Sequence, residues 1–214
     1  MRIFALALLA VALAGCGGSS KTTKGSGHVV SASRTVSGFT TIRLIGAATV
    51  DVTVGKPAAL TLSGDDNILP LIRTDVRDGA LEITSEHSYS SSHDLHVTIA
   101  TPSLEGISLI GAGTFSAGGI HAHAFALDLS GAATLILAGA TDTLDATLSG
   151  SGTADLTSLV ARDAKASLSG AGTLHVDATK SLDASLSGVG SIVYSGSPAH
   201  VTTHVSGVGT IAAG

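Results

Sequence analysis

The chain has 214 residues, of which 44% are apolar, 3% aromatic and 13% charged, with one cysteine and a formal net charge of −5. An apolar-rich, charge-poor composition is unlike that of disordered chains, and a single cysteine excludes an internal disulfide. Because there are neither basic runs nor stacking aromatics, we expect no nucleic-acid partner.

The first predicted element is a secretion signal. Arg2 precedes an apolar run over residues 3–12, which is shorter than the roughly 20 residues of a membrane-spanning helix and is typical of a signal peptide. The following Leu13-Ala14-Gly15-Cys16 resembles the lipobox of bacterial lipoproteins, in which the cysteine is lipidated and becomes the mature N-terminus. We therefore predict a lipoprotein signal peptide over residues 1–15 and lipidation at Cys16. An ordinary signal peptide cut elsewhere is the alternative.

The next segment is a predicted tether over residues 16–27. From Gly17 to Gly27 it carries glycine, serine, threonine and lysine and no apolar side chain. Such a chain behaves as a flexible coil with a reach of about 18 Å. Gly17 stands where many Gram-negative lipoproteins retained in the inner membrane carry aspartate, and that resemblance favours the outer membrane or cell surface.

Residues 28–105 form an irregular N-terminal β region. Strand patterns occupy residues 40–45 and 49–54, and Asp78-Gly79 is a turn signal between strand patterns at 71–77 and 80–84. Asp65-Asp66, with Gly64 and Asn67, indicate another turn. A polar excursion follows over residues 85–94. No stretch has convincing helical periodicity, so almost no helix is expected.

Residues 106–214 are a repeat. A six-residue phrase recurs as LIGAGT, LSGAAT, LSGSGT, LSGAGT, LSGVGS and VSGVGT, with an earlier copy, LIGAAT, at 44–49. Its first glycine recurs at intervals of 18 to 20 residues, at Gly111, Gly131, Gly150, Gly170, Gly188 and Gly207. Relative to this glycine, positions two before and four after are always apolar, and the position three after always carries a hydroxyl. This alternation predicts strands with one buried face, separated by a tight bend that needs glycine.

Three architectures fit this pattern, and an all-β fold is common to them. A parallel β-helix-like solenoid of ~19-residue repeats places like residues above like, which explains why each column keeps one chemistry. A β-meander or sandwich would use each glycine phrase as a hairpin turn. A membrane barrel needs aromatic girdles, which the sequence lacks.

Two groups of residues were tested for chemistry. Asp145 and Asp183 fall in one column about 9.6 Å apart, at the outer limit for an inverting glycosidase, but Lys165 lies between them and favours two ionised acids. His121 and His123 would share a strand face, with Asp128 as the one further ligand nearby, whereas a closed zinc site needs four. We predict no catalytic residue, no metal site and no cofactor.

The order of segments resembles the head GIN domain family, described as auto-transporter adhesins. The matching segments are GFTTI (38–42) leading into LIGA (44–47), GDDNILP (64–70), VRDGAL (76–81), VTIATPSL (97–104) and the glycine phrases. The resemblance covers roughly residues 30–214. It implies a right-handed parallel β-helix attached to the cell envelope and supplies no catalytic residues.

The functional prediction is a lipid-anchored, non-catalytic binding, adhesion or structural module of the cell envelope. Its predicted partners are the membrane, through the lipid, and a cell-surface glycan or protein. The polar excursion is the predicted binding loop, because it interrupts the pattern and holds an aromatic residue. Its candidate residues are Glu86, His87, Tyr89, His93 and Asp94, and a disordered loop is the alternative interpretation. The alternative is a polysaccharide-degrading hydrolase or lyase, which turnover of a glycan would distinguish.

Overall fold

A computed structural model of the chain describes residues 22–214. The predicted signal peptide and the predicted lipidation site Cys16 lie outside the described residues. Within them the fold is all-β apart from one short 3-10 turn, Leu69–Leu71, and no helix of this part is long and apolar enough to cross a membrane.

Fourteen strands follow one another along the described chain. They are β1 (Thr23–Lys24), β2 (Val29–Arg34), β3 (Thr41–Val54), β4 (Ala59–Asp65), β5 (Ile72–Arg77), β6 (Ala80–Ser85), β7 (Tyr89–Ser90), β8 (His96–Thr101), β9 (Gly106–Gly150), β10 (Thr153–Gly170), β11 (Thr173–Gly188), β12 (Ser191–Ser195), β13 (His200–Val205) and β14 (Thr210–Ala213). The extended chain of β9 runs through several glycine bends without interruption.

In the repeat region, neighbouring strands pair in parallel and in register. Thr153 lies opposite Thr134 on one side and Thr173 on the other, and Leu168 lies between Leu148 and Leu186. Strands β12 and β13 pair with β11, and β14 pairs with β12, again in parallel. Equivalent residues of successive repeats are therefore direct neighbours, as the constant columns predicted. Residues 153–213 therefore do not form the antiparallel hairpins of a meander.

The N-terminal part makes the sheet mixed. Strand β3 pairs in parallel with β6, β8 and β9, whereas β4 pairs antiparallel with β2 and β8. Strands β5 and β6 form an antiparallel hairpin through Asp78 and Gly79, both at positive φ, so the predicted turn is confirmed. The sheet as a whole is open, running from β14 to β2. The all-β prediction is confirmed at this level.

The core is built from the predicted apolar columns. The residues four places after the repeat glycine are completely buried in five repeats, namely at Phe115, Leu135, Ala154, Leu174 and Ile192, and Ile211 of the last repeat is half-buried. The hydroxyl column beside them points outward, with Thr114, Thr134 and Thr153 exposed. The two columns are formed by adjacent residues, so strand alternation alone places one column inside and the other in solvent.

Two separate constraints require glycine at the bends from Gly111 to Gly188. Gly150 has φ +132°, a backbone conformation that L side chains rarely adopt, and an added Cβ would lie 2.3 Å from the carbonyl oxygen of Gly131. Gly170 and Gly188 make the same approach, 2.3 Å from the carbonyl oxygens of Gly150 and Gly170. Successive bends therefore stack backbone against backbone, which no larger residue permits.

Candidate functional site

The predicted binding loop is held by the N-terminal end of the described chain. Strand β7 pairs in parallel with β1, which composition assigned to the flexible tether. The Thr23 N–H donates to the Ser88 carbonyl at 3.0 Å, and the Gly25 N–H donates to the Ser90 carbonyl at 2.7 Å. Residues 23–25 are thus part of the folded domain, because backbone pairing needs no apolar side chain.

A buried aspartate fixes this contact. Asp65 is 1% exposed and accepts hydrogen bonds from Ser91 Oγ at 2.7 Å and from the His93 ring, whose Nδ1 lies 3.0 Å from the carboxylate. The Ser91 hydrogen bond, together with His93 and the backbone N–H of Gly27, holds the pKa of Asp65 below its ordinary value against the opposing effect of burial. Gly25 passes so close that an added Cβ would overlap the Asp65 carboxylate.

The turn after Asp65 makes further bonds to the same segment. The side chain of Asn67 accepts from the Ser26 N–H at 2.9 Å and donates to the Lys24 carbonyl at 2.8 Å. Ser26 Oγ donates to Asp66 at 2.5 Å. The turn predicted from residues 64–67 is present, and it serves to fasten β1.

The five predicted loop residues do not converge on one site. Glu86 forms an ion pair with Arg73, and His93 faces Asp65. Tyr89 packs on the core and donates to the Ala47 carbonyl at 3.4 Å; burial and the nearby Asp94 charge raise the pKa of its phenol. His87 and Asp94 are exposed to solvent. The loop residues mainly hold the loop in place.

A larger feature is the corner groove, a cavity of about 780 Å³ along the repeats. Two outward rows flank it, five and seven places before each repeat glycine. The first row is Ala126, Asp145, Lys165, Asp183 and Thr202, and the second is Ala124, Thr143, Asp163, Ser181 and His200. Between them the inward residues Phe125, Leu144, Ala164 and Leu182 form the floor. Three consecutive positions of each rung, the two outward rows and the inward row between them, therefore line one concave surface.

The groove continues toward the N-terminal part. A second cavity of about 390 Å³ adjoins it and shares Thr41, Glu105, Ala126 and Asp145 with it. Asp128, considered above as a metal ligand, lines this second cavity. The two cavities are therefore neighbours on the surface.

Three aspartates of the groove lie beside basic side chains. Register places Lys165 directly between Asp145 and Asp183, as predicted. Asp163 accepts from Ser181 Oγ at 2.6 Å and from Arg162 Nε at 3.0 Å, with Lys180 Nζ 3.6 Å away. The Ser181 hydrogen bond first, then Arg162 and the Lys180 charge, lower the pKa of Asp163. A general acid for glycoside cleavage needs the opposite shift.

The histidine pair has a different partner from the one considered. His123 Nδ1 lies 2.5 Å from Asp142 of the next repeat, and its side chain is 88% exposed. Across residues 22–214, no three histidine, cysteine or acidic side chains are placed to hold a metal ion. The arrangement is a surface pair between adjacent strands.

Sequence reasoning singled out the first row of the groove but not the second. Asp163 and Ser181 lie at an outward position whose chemistry varies from repeat to repeat. The signal that could have found them is their common offset of seven residues before the glycine. The residue pattern does not predict that the two rows line one cavity.

Comparisons with known proteins agree with this fold. A family model described as "Putative auto-transporter adhesin, head GIN domain" matches residues 38–198. A crystal structure of a "putative adhesin" from Bacteroides fragilis is 26% identical, with a TM-score of 0.70 over 89% of this chain and 99% of that one. No curated protein matches the sequence.

Two further crystal structures share the fold. A "putative adhesin" from Parabacteroides merdae is 17% identical, with a TM-score of 0.58 over 90% of this chain and 99% of that one. A "Putative lipid binding protein" from Parabacteroides distasonis is 19% identical, with a TM-score of 0.59 over 91% of this chain and 100% of that one. At these identities the likeness shows the fold alone.

Proposed function

The chain belongs to the head GIN domain family, and from that premise we propose that it is a non-catalytic adhesion module of the bacterial cell envelope. In this proposal Cys16 carries the lipid that holds the module at the outer membrane or cell surface. Residues 28–105 and 106–214 form one domain, whose repeat region winds as a right-handed parallel β-solenoid.

The observation that carries the proposal is the in-register stacking of β9, β10 and β11. It repeats an outward column of hydroxyl side chains at successive rungs, as at Thr134, Thr153 and Thr173, about 4.8 Å apart. A surface of repeated equivalent groups suits contacts that are individually weak and collectively strong, because each further contact is made at high effective concentration. Adhesion depends on contacts of this kind.

The pairing of β1 with β7 shortens the proposed tether and so affects which part of the domain would face the membrane. Six residues, 17–22, separate Cys16 from Thr23, where β1 begins. A flexible chain of that length has a reach of roughly 13 Å. The predicted binding loop, paired with β1, would then face the membrane, and the repeat surface would extend away from it. Recognition of an external partner is better served by the repeats than by the loop.

The hydrolase or lyase alternative receives no support from the geometry. Lys165 lies between the two acids of the column, and the pKa of Asp163 is lowered. The lowered pKa keeps the Asp163 carboxylate ionised, whereas one carboxyl must be protonated to act as the acid.

The test is adhesion by cells that carry the full chain. A strain expressing the protein should bind immobilised glycan or protein surfaces more than a strain without it, and released reducing ends should stay at background. A Cys16→Ser variant should leave the membrane fraction and lose adhesion by intact cells. Equal adhesion with and without the protein, or steady release of sugar ends, would overturn the proposal.

A further inference from the structure

We propose that the corner groove is a binding site for a linear polysaccharide that carries no negative charge. The proposal rests on the adhesion function and names the class of ligand that the module would hold. None of the five residues of the predicted binding loop lines this groove.

The first argument is length and repetition. From Ala126 to Thr202 the first row crosses five rungs, which is about 19 Å at the ordinary strand spacing. At four consecutive rungs both rows carry polar groups: Thr143 with Asp145, Asp163 with Lys165, Ser181 with Asp183, and His200 with Thr202. A site that repeats its polar pairs along a line fits a ligand that repeats its own units along a line.

The second argument is charge. Four carboxylates line the groove, Glu105, Asp145, Asp163 and Asp183, against one ammonium, Lys165. Two further cations, Arg162 and Lys180, pair with Asp163 beside the groove, so the net formal charge of all these groups is −1. Low-dielectric walls concentrate such a field and repel polyanions. Uronic-acid polymers, nucleic acids and sulfated glycans are therefore disfavoured, and neutral or amine-bearing chains are favoured.

The third argument separates a saccharide from a peptide. The backbone of β10 at the groove pairs with β9 on one side and β11 on the other, so no strand can be added there. The floor residues Leu144, Ala164 and Leu182 are at most 5% exposed, so the floor has no deep pocket for an apolar anchor of a peptide. The lining is largely apolar and carries carboxylates and hydroxyls, which accept from and donate to sugar hydroxyl groups.

The experiment is calorimetric titration of the full chain in detergent with four hexamers. They are the glucosamine hexasaccharide, its N-acetylated form, an oligogalacturonate and hexalysine. The test variant is Asp145→Asn with Asp183→Asn. The matched control is Asp51→Asn with Asp78→Asn, two exposed aspartates that do not line the groove. Asparagine keeps the side-chain shape and tolerates the positive φ of residue 78.

We expect binding of at least one of the two sugar hexamers that lack negative charge, and none of oligogalacturonate. The groove variant should weaken that binding tenfold or more, and the control should leave it within twofold. If the glucosamine hexamer binds better than its acetylated form and loses affinity in salt, the site selects amines; equal binding indicates recognition of hydroxyls.

Three results would overturn the proposal: no binding of either uncharged or amine-bearing sugar, equal weakening by both variants, or tighter binding of hexalysine, which would indicate a basic peptide. The adhesion function is judged separately. Cells carrying the groove variant that adhere like wild type would refute the groove and leave adhesion intact. Groove-dependent sugar binding by a protein that does not promote adhesion would refute the function and leave the site.

Discussion

The stacked glycine bends give the sharpest test of the architecture. Gly150→Ala introduces two faults at once, a side chain at φ +132° and a Cβ 2.3 Å from the Gly131 carbonyl oxygen. A side chain in such a backbone region costs about 1–3 kcal/mol. Forcing atoms into a packed contact costs about 1–3 kcal/mol more. We therefore expect the free energy of unfolding to fall by about 2–6 kcal/mol.

Three other glycines of the same chain separate the two faults. Gly46 has the same φ of +132° with no atom within 4 Å of an added Cβ, so Gly46→Ala carries the backbone cost alone. Gly152 has no positive φ, but its Cβ would lie 2.6 Å from the Ala133 carbonyl oxygen, so Gly152→Ala carries the contact cost alone. Gly118 has neither fault, and Gly118→Ala should be neutral or stabilise by about 0.4–1 kcal/mol through the unfolded chain.

Urea unfolding of the full chain, followed by circular dichroism, measures all four variants. The loss in Gly150→Ala should equal the sum of the losses in Gly46→Ala and Gly152→Ala, with the denaturant slope unchanged. A Gly150→Ala variant no less stable than Gly46→Ala would show that close approach of successive bends contributes nothing. The stacking argument would then fail.

Lys165→Ala should lower the free energy of unfolding by about 1 kcal/mol or less, since it removes an exposed cation between two acids; a rise in the denaturation midpoint would contradict the charge ladder. Because the folded-state pKa of Asp65 is below its ordinary value of 3.8, its stabilisation is present above that value and is lost as pH falls below it. Asp65→Asn should therefore lower the thermal midpoint at pH 7 and flatten its decline in acid; parallel pH curves would refute this role. Gly25→Ala should displace β1 from β7 and speed amide hydrogen exchange over residues 22–28 and 85–94. Gly118→Ala is the control, and unchanged protection of these residues in Gly25→Ala would show that the contact is not needed.

The repeat region could be predicted from the sequence because its pattern and its pairing follow one rule. Leucines such as Leu148, Leu168 and Leu186 recur at the same offset from glycine, and parallel pairing in register places them in one column. A one-residue slip would turn each of them toward solvent, so burial fixes the register. Local periodicity and long-range pairing therefore carry the same information here.

The candidate site could be predicted only in part, for two physical reasons. Strand β1 forms from Thr23 and Lys24 through backbone hydrogen bonds and the absence of a side chain at Gly25, and composition reports neither. The groove is lined by two outward rows and by the inward residues between them, Leu144, Ala164 and Leu182, which alternate like any other strand residues. The alternation predicts which face each residue occupies, and it does not predict that the rows line a cavity.

The pairing of β10 also shows where the chain absorbs differences in repeat length. Over residues 153–156 the partner in β11 lies twenty positions ahead, as in Thr153 and Thr173, whereas over 163–170 it lies eighteen ahead, as in Gly170 and Gly188. The irregularities on both sides of β10 fall between Asp155 and Asp163. Differences in repeat length between β10 and its neighbours are thus confined to residues 155–163. The stretch from the groove to the glycine bend, residues 163–170, pairs with both neighbours without a register shift. Duplicating one such unit would therefore lengthen the groove by one strand spacing, about 4.8 Å.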